Sequence, residues 1–394
     1  MARVIFVNRF YWPAETATGQ LLTDLAEALV ALGHEVTVIT SRGGAAEPTE
    51  HRGVRIVRIR STHASDLRLA DKALDWSTFL GASFWAMLRH VRRGDVLVAL
   101  TDPPLLAIGA WLAARCRGAR LVHWVQDIYP EIAIELAGQR WLACLRPLRN
   151  MAWRAADQCV TLGRDMAATL SRQRVPAQRI SIIGNWPPAG VSPRTAGTDC
   201  REIWGLRGKF VVAYSGNLGR VHDLGVVADL AEALREDAAI SLLVVGDGAQ
   251  RESLQADIAR RGLANVMFRP AQPRAQLAGS LATGDVHLVT LRDGCEHLVF
   301  PSKLYGIAAV GRPVLFIGPA QCEVARCVRE HGLGCAVSRG QLDQAAAFVR
   351  ALARDPAERE PYREAALAFA SRHGLAEAAR SWDRWLSARG AAPA

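Results

Sequence analysis

The sequence predicts an α/β protein made of two tandem doubly wound domains, each with a parallel sheet covered by helices on both faces. Apolar runs of strand length alternate with helical stretches along the whole chain, which is the pattern of repeated β-α-β units. At 394 residues the chain is also too long for one ordinary core. Ligands of such sheets collect at the carboxyl ends of the strands, and we expect the two domains to face a deep cleft.

Each predicted strand is a short apolar run bounded by polar residues or turn residues. In the first half these runs are Val4–Asn8, Val36–Thr40, Val54–Ile59, Val96–Leu100, Leu121–Val125, Cys159–Leu162 and Ile180–Ile183. In the second half they are Phe210–Ser215, Ile240–Gly246, Val266–Arg269, Val286–Thr290, Val314–Ile317 and Cys335–Val337. Between the first two runs, Leu21, Leu25 and Leu29 recur at helical spacing, and Gly33 predicts the end of that helix.

The domain boundary is predicted from a change in composition. Residues 187–203, PPAGVSPRTAGTDCREI, are rich in Pro, Gly, Ser and Thr and show no periodicity. We therefore expect domains over residues 1–190 and 206–374, joined by a linker over 191–205. Asp355 and Pro356 predict a helix start, and a last helix over about 375–394 is expected to pack back on the first domain.

Composition excludes several classes of protein. Half of the residues are apolar and 22% are charged, as in folded proteins, and no run of 18 apolar residues predicts a membrane span. The start, MARVIFVNRF, enters a strand without the features of a signal peptide. Eight cysteines without a C-x-x-C pair indicate reduced thiols in a cytoplasmic protein.

The net charge of +10 favours an acidic partner, such as nucleic acid, anionic lipid or a phosphorylated substrate. The first 200 residues hold 24 Lys and Arg against 17 Asp and Glu. A merely basic, soluble surface would explain the same numbers. Nucleic acid is disfavoured, because no binding motif is present and the charges do not form one run.

Three strand-to-helix turns in the second half carry residues suited to an anion. Glycine exposes backbone N–H groups, arginine grips phosphate through two bonds, and a helix start is favourable for negative charge. The candidates are Gly216, Asn217, Gly219 and Arg220 in YSGNLGR, Gly246, Asp247 and Gly248 in VVGDG, and Ser302, Lys303 and Leu304 in PSKLYG. Ser302 is expected to be the N-cap, with Lys303 in the first helical turn. Together these turns predict a diphosphate site.

Each turn alone is weak evidence for a phosphate site, since most such glycines simply form turns and most lysines are solvated. None of the turns has the spacing of a P-loop, and the first strand is not followed by G-x-G-x-x-G. The second absence argues against a dinucleotide oxidoreductase.

A longer series of motifs resembles a known family. The order VNRFYWPAETATGQLLTDLAEALVALGHEVTVITSR, HWVQDIYPE, GNW, YSGNLGR, VVGDG, GDVHLVTL and FPSKLYGIAAVGRPVLF is similar to that of retaining GT-B glycosyltransferases of the family 4 type. The likeness is greatest to the branch that builds bacterial surface polysaccharides on lipid carriers. It implies a nucleotide-sugar donor in the C-terminal domain, an acceptor in the N-terminal domain, and no metal or other cofactor.

The resemblance assigns roles in the second domain. Gly216 and Arg220 match the phosphate-binding loop, and Glu296 matches the first glutamate of the signature, which touches the donor sugar. The second glutamate of that signature, which holds the ribose, is missing; its place falls on Gly306 or Leu304. The usual lysine after the phosphate loop is absent too, and Lys303 is expected to supply its charge.

In the first domain, the resemblance places Gly19 in a loop over the donor and Gln126 where many relatives have a histidine near the reacting carbon. Asp127 follows a strand and could orient the acceptor hydroxyl or accept its proton, or it could simply cap the next turn. Glu131 and Glu15 are weaker candidates for the same task.

Two segments are candidates for contact with a membrane surface, because they combine tryptophan with arginine. WSTFLGASFWAMLRHVRR places Trp76, Leu80, Phe84, Met87 and Val91 along one helical side. RWLACLRPLRNMAWR sets Trp141 and Trp153 among arginines. The alternative is that both helices pack on the sheet of their own domain.

The resemblance and the residues together predict transfer of a sugar, with retention, from a UDP-sugar to a saccharide on polyprenyl diphosphate. Such an enzyme of O-antigen, capsule or exopolysaccharide synthesis would lie in the cytoplasm, on the inner face of the bacterial membrane. Two alternatives remain: a sugar-nucleotide epimerase of the same architecture, and a non-enzymatic protein that binds anionic lipid or nucleic acid.

Overall fold

The computed structural model of the protein describes residues 1–14, 16–42, 48–62, 69–193 and 200–388. It contains two compact units. The first unit comprises Met1–Asn185 together with Leu375–Ala394, and the second comprises Trp186–Gly374. The structure thus draws the boundary five residues before the predicted one, and it puts the C-terminal helix in the first unit.

The first unit is built on an eight-stranded sheet in the order β3-β4-β2-β1-β5-β6-β7-β8. Its strands are β1 (Arg3–Val7), β2 (Glu35–Ser41), β3 (Glu50–His51), β4 (Val54–Ile59), β5 (Val96–Ala99), β6 (Arg120–Val125), β7 (Gln158–Thr161) and β8 (Ile180–Ile182). All neighbours are parallel except β3 and β4, which are antiparallel. Helices cover both faces of such a sheet, so its strands read as continuous apolar runs.

The helices of the first unit lie between these strands. They are α1 (Ala17–Ala31), α2 (Leu69–His90), α3 (Leu106–Arg117), α4 (Glu131–Ala137), α5 (Arg146–Ala155), α6 (Arg164–Arg172) and α15 (Leu375–Ala388). Thr16 caps α1, and Leu22, Leu25 and Leu29 are fully buried along one side of it. Gly33, just beyond its end, has a φ of +90°, which favours glycine.

The second unit has a six-stranded, all-parallel sheet in the order β11-β10-β9-β12-β13-β14. The strands are β9 (Phe210–Ser215), β10 (Ile240–Val245), β11 (Val266–Arg269), β12 (Val286–Thr290), β13 (Val314–Ile317) and β14 (Gly334–Val337). The helices are α7 (Cys200–Ile203), α8 (Gly225–Ala233), α9 (Arg251–Arg260), α10 (Leu277–Thr283), α11 (Lys303–Ala309), α12 (Glu323–Glu330), α13 (Leu342–Arg354) and α14 (Glu360–Arg372).

The strand orders confirm the predicted pair of doubly wound domains. The second sheet follows the 3-2-1-4-5-6 order of a Rossmann fold, and the first follows the same winding with extra strands at its edges. All thirteen predicted strands are present within a few residues. The short hairpin strand β3 was not predicted, and Pro356–Arg359 form a 3-10 turn before α14 begins.

Part of the predicted linker belongs to the second unit. Val191 packs with Ala278 and Ala309, and Cys200 packs under β9 with Trp204. Residues 194–199 of that linker lie outside the described ranges. The proline and glycine content of 187–193 therefore marks an irregular but packed segment at this point.

Helix α15 completes the core of the first unit. Trp382 is fully buried, with ring centroids 6.2 Å from Phe6 and 5.3 Å from Trp124. The indole Nε1 of Trp385 donates to Gln158 at 3.1 Å. Among the described residues, no helix has both the length and the apolar character needed to cross a membrane.

Candidate active site

In the second unit, the strand order reverses between β9 and β12. The loops that leave the carboxyl ends of these two strands diverge, and ligands of doubly wound sheets bind in the resulting crevice. Residues 216–222 follow β9, and residues 291–302 follow β12. The backbone N–H of Arg292 donates to the carbonyl of Val221 at 2.9 Å, which joins the two loops.

The loop after β9 exposes backbone donors, although not at the predicted glycine. The N–H of Gly216 donates to Val245 at 2.9 Å, and that of Leu218 donates to Asp247 at 2.8 Å. The prediction that the Gly216 amide holds phosphate is therefore wrong for this structure, because the strand ladder uses it. Within the described part of the chain, the N–H groups of Asn217, Gly219 and Arg220 have no hydrogen-bond partner.

The VVGDG turn serves to pack this loop. A Cβ atom on Gly246 would lie 2.0 Å from the Gly216 carbonyl oxygen, and one on Gly248 would lie 2.5 Å from Oδ1 of Asn217. Asp247 is exposed, and its carboxylate accepts the N–H of Gly248 at 2.8 Å. Both glycines are therefore required by the close approach of two backbones, and the turn holds residues 216–218 in place.

Arg220 is the unpaired cation of the loop within the described part of the chain. Its side chain is exposed and has no ion pair or hydrogen bond to any described residue. The backbone beneath it is fixed, since Nε2 of Gln250 donates to the carbonyls of Gly219 at 2.7 Å and His222 at 3.0 Å. A fixed backbone with a free guanidinium is suited to bidentate binding of phosphate.

Lys303, the first residue of α11, reaches the same loop from the other side. Its Nζ lies 3.7 Å from the centroid of the Tyr214 ring and 3.4 Å from the position of a Cβ on Gly216. That nitrogen is shielded from solvent and has no hydrogen-bond partner among the described residues. Burial lowers the pKa of Lys303 to about 7.

The start of α11 differs from the prediction for Ser302. The residue stands before the helix with helical backbone angles, and its side chain makes no capping hydrogen bond. The N–H of Leu304 donates to Pro301 at 3.3 Å, so this amide is also engaged, and the Leu304 side chain is fully buried. Of this predicted trio, only Lys303 turns a functional group towards the loop.

Glu296 lies in the loop after β12. Its Oε2 atom is buried and has no hydrogen-bond partner among the described residues. At the two places of the missing second glutamate, Leu304 is buried, and a Cβ on Gly306 would meet Leu281 at 3.4 Å and Pro188 at 3.6 Å. Neither position offers a carboxylate, so ribose would need a different acceptor group.

The first unit has a corresponding reversal between β1 and β5. Arg9 follows β1 and Asp102 follows β5, and the two side chains pair across the gap with Nε 3.3 Å from Oδ1. Asp127 follows β6, close enough that burial and then Asp102 raise its pKa to about 6. No hydrogen bond to the Asp127 carboxylate is found within the described ranges, so the alternative role as a turn cap has no support.

Gln126 and Asn185 form a reciprocal amide pair inside the first unit. Each donates its NH₂ group to the other, at 3.4 Å from Gln126 and 3.3 Å from Asn185, and both residues are buried. The pair joins the HWVQD and GNW motifs. It also means that the side-chain amide of Gln126 is engaged with Asn185 in this structure.

Two of the remaining candidates of the first unit, Gly19 and Glu131, make hydrogen bonds within their own domain. Gly19 lies in the first turn of α1, where its N–H donates to Thr16 at 3.3 Å. Glu131 receives two hydrogen bonds from Arg149, at 2.9 and 2.7 Å, and is therefore not a free base. Glu15 lies outside the described residues.

In the structure, protein covers only part of the apolar stripe on α2, because three of its residues are half-buried: Trp76, Leu80 and Phe84. Met87 and Val91 are fully buried against their own domain, whereas Trp85, on another side of the helix, is 64% exposed. In the second segment Trp153 is buried beneath Arg149, whose guanidinium carbon lies 3.7 Å from the ring, whereas Trp141 is 68% exposed. Each segment thus has one largely exposed tryptophan, and on α2 that residue lies off the predicted stripe.

Comparison with known proteins defines the class. Residues 16–186 match the family model for a glycosyl transferase 4-like domain, and residues 199–369 match that for glycosyl transferases group 1. The chain belongs to the family 4 type of GT-B glycosyltransferases.

Individual proteins that the chain resembles share less than 30% of its sequence. The chain is 26% identical to the colanic acid biosynthesis glycosyl transferase WcaI of Escherichia coli K12, over 86% of this chain and 89% of that protein. It is 27% identical to a GDP-mannose-dependent alpha-mannosyltransferase of Mycobacterium tuberculosis, over 79% and 78%. The crystal structure of Anabaena HepE in complex with UDP and glucose superposes with a TM-score of 0.72 at 16% identity, covering 98% of this chain and all of that one.

Several residues of the site were missed by the sequence analysis, namely Tyr214, Gln250, Arg9, Asp102 and Asn185. Arg9 and Asp102 could have been found, because they follow the two strands at which the winding of the first sheet reverses. Tyr214 reads as one more apolar residue of a buried strand, and nothing local distinguishes it.

Proposed function

We propose that this glycosyltransferase moves a sugar from a nucleoside diphosphate to a saccharide carried on polyprenyl diphosphate, with retention of configuration and without a metal. The observation that carries the proposal is the loop after β9. It combines three N–H groups without partners in the described chain, an unpaired Arg220 and the neighbouring Lys303. These groups suit a departing diphosphate, on which negative charge develops during transfer.

The base of the donor nucleotide differs among the named proteins, since one relative is a GDP-mannose-dependent enzyme and one similar structure holds UDP. We propose UDP, the nucleotide in the similar HepE structure. Neither Gly306 nor Leu304 can accept a ribose hydroxyl with its side chain, so the ribose is expected to be held by backbone groups. A direct comparison of the two nucleotides decides the point.

The chemistry proposed for the first unit concerns the acceptor. Asp127, whose pKa burial raises to about 6, is ionised at neutral pH and can accept a hydrogen bond from the attacking hydroxyl. The Gln126–Asn185 pair fixes the backbone beside it. The unpaired carboxylate oxygen of Glu296 is proposed to hold a hydroxyl of the donor sugar.

The decisive experiment incubates the purified protein with UDP- and GDP-sugars, with and without a polyprenyl-diphosphate-linked saccharide. We expect release of nucleoside diphosphate only when the acceptor is present, an extended lipid-linked product, and an unchanged anomeric configuration by NMR. Activity in EDTA tests the metal independence. Conversion of a UDP-sugar in the absence of acceptor would replace the proposal with an epimerase, and binding of none of these nucleotides would end it.

A lipid-linked acceptor implies contact with a membrane, and we propose peripheral binding to the inner face of a bacterial cytoplasmic membrane. Helix α2 packs against α3, and α3 packs against α5, which follows a 3-10 turn at Arg140–Leu145. These neighbouring elements expose large apolar side chains: Leu74, Trp85, Leu112, Trp141 and Leu148. They also expose arginines at 89, 115, 117, 140 and 154. Apolar anchors among cations match an anionic lipid surface.

Replacing both Trp85 and Trp141 with serine is expected to weaken binding to phosphatidylglycerol vesicles by about tenfold or more, since two large apolar side chains lose their burial. Vesicle co-sedimentation measures the effect. Ile203→Ser, which removes a side chain 70% exposed in the second unit, is the matched control and should bind like the wild type. Equal binding by all three proteins would show that this face does not meet the membrane.

A further inference from the structure

Lys303 is unusual among the cations of the second unit because its charged end is hidden. The Nζ atom has essentially no accessible surface and no hydrogen-bond partner among the described residues. A buried ammonium group without a partner is costly, and the group lowers that cost by losing its proton. A phosphate could not reach the nitrogen in this position.

The groups that face Lys303 explain how it is held. Tyr214, on β9, presents its ring at 3.7 Å from Nζ, and the Tyr214 hydroxyl donates to the Asn217 carbonyl at 2.9 Å, which fixes the ring. Gly216 leaves room for the Lys303 chain, since a Cβ there would meet Cε and Nζ at 3.4 Å. The aromatic face is the group that offers the ammonium some stabilisation.

Two histidines, His222 and His287, also interact electrostatically with this lysine, and neither can take its proton at neutral pH. Nδ1 of His222, in the loop after β9, lies 2.7 Å from the Thr290 carbonyl oxygen, and Nε2 of His287, on β12, lies 2.8 Å from that of Leu281. Burial lowers the pKa of His222 to about 3 and that of His287 to about 4, and Lys303 adds to both shifts. Both rings are therefore neutral, and Lys303 is the titrating group of this cluster near pH 7.

We infer that Lys303 rests over the Tyr214 ring, and that a nucleoside diphosphate draws its amino group out onto the phosphates with uptake of one proton from solvent. The inference rests on the proposed nucleotide donor. The only bond broken is the one that held this proton in the acid form of the buffer. The positive charge gained by the lysine offsets part of the negative charge of the diphosphate. Tyr214 is then a positioning residue, because it acts through Lys303.

The coupling between nucleotide binding and proton uptake predicts how the affinity changes with pH. The resting lysine has a pKa of about 7, whereas a lysine paired with phosphate keeps its proton well above pH 8. Binding at pH 8 should therefore take up close to one proton, since about nine-tenths of the resting amine is deprotonated there. Above pH 7 the affinity for nucleotide should fall by up to about tenfold per pH unit.

The test is calorimetric titration with UDP, and with GDP in parallel, at pH 8 in two buffers of different ionisation enthalpy. The difference in apparent binding enthalpy gives the number of protons taken up, and we expect close to one for the wild type. Lys303→Arg should bind nucleotide with no proton uptake, because a guanidinium is always protonated. Tyr214→Phe loses the hydroxyl that fixes the ring but keeps the ring itself, and proton uptake at pH 8 should remain close to one.

Tyr214→Leu removes the ring that stabilises the ammonium, so the pKa of the resting Lys303 should fall further and proton uptake at pH 7 should rise from about one half towards one. Thermal melting shows whether this variant is folded, and Lys303→Arg carries the test if it is not. Nucleotide binding by the wild type without proton uptake overturns the inference and leaves the proposed function standing. The absence of any nucleotide binding overturns the proposed function itself.

Discussion

Alanine in place of Arg220 is expected to lower kcat by roughly 10²–10³-fold, the range seen when one preorganised group that stabilises developing charge is removed. The guanidinium is exposed and unpaired within the described chain, so no folded-state interaction is lost with it. Gln250 continues to hold the backbone beside residue 220 through its two hydrogen bonds. Steady-state transfer kinetics and a melting curve together measure the effect.

Lys303→Ala is expected to fall in the same range, because its ammonium is the second charge at this loop. Arg207→Ala is the matched control. Arg207 belongs to the same unit and has an exposed side chain, but it precedes β9 and so lies at the amino end of that strand. A loss confined to positions 220 and 303 supports the diphosphate site, whereas near-normal turnover by Lys303→Ala would remove that residue from it.

Asp127→Asn is the second change with a large expected effect, a fall in kcat of roughly 10²–10⁴-fold if the carboxylate handles the proton of the acceptor. The amide has nearly the same size, so packing should be preserved. Binding of nucleotide, measured by calorimetry, should be unchanged, because Asp127 belongs to the first unit. Equal losses in nucleotide affinity and turnover would point to a structural role.

The pH profile gives an independent measure of Asp127. Its pKa is raised to about 6, first by burial and then by Asp102. As a proton acceptor it works only when ionised, so kcat/KM for the acceptor, measured at saturating nucleotide sugar, should rise with pH through about 6 and then level off. Asp102→Asn removes the neighbouring charge and should move this rise in kcat/KM to lower pH. Asp127→Asn should abolish the rise.

The same raised pKa also affects stability. The folded protein holds the Asp127 proton more tightly than the unfolded chain does, so this contribution to stability is complete below pH 4. It is lost as pH rises through about 6. Urea denaturation between pH 4 and 8 should therefore show a smaller decline for Asp127→Asn than for the wild type.

The strands could be predicted because parallel, doubly covered strands are apolar throughout. Val4, Ile5, Phe6 and Val7 are all fully buried. Because such a strand is buried on both faces of the sheet, its sequence is an uninterrupted apolar run. Topology then followed from the alternation of strands and helices. Only the hairpin strand Glu50–His51, which is short and polar, had no such signal.

The site was less predictable because its chemistry depends on which backbone groups are already used. Gly216 has the right residue type, yet its N–H continues the ladder to β10, and the free amides are those of its neighbours. The glycines at 246 and 248 indicate close backbone approach, which a sequence cannot distinguish from phosphate binding. Register and loop contacts, both tertiary, decide these roles.

Helical spacing misled the reading of α2 for a similar reason. An apolar stripe shows that one side of a helix is buried, but it does not say whether protein or lipid covers it. Here the domain's own core covers Met87 and Val91, and the exposed Trp85 lies off the stripe. The tryptophan that α2 exposes to solvent lies outside the periodic pattern, so the pattern did not identify it.

The position of α15 has a consequence for biosynthesis. Its Asp383 contacts His34, 349 residues earlier in the chain, and its Trp382 covers Phe6 and Trp124. Domains usually fold in order as they leave the ribosome, but this amino-terminal lobe lacks a piece of its core until α15 has been translated. The nascent lobe must therefore wait, with an apolar surface uncovered, while the whole carboxyl-terminal lobe is made.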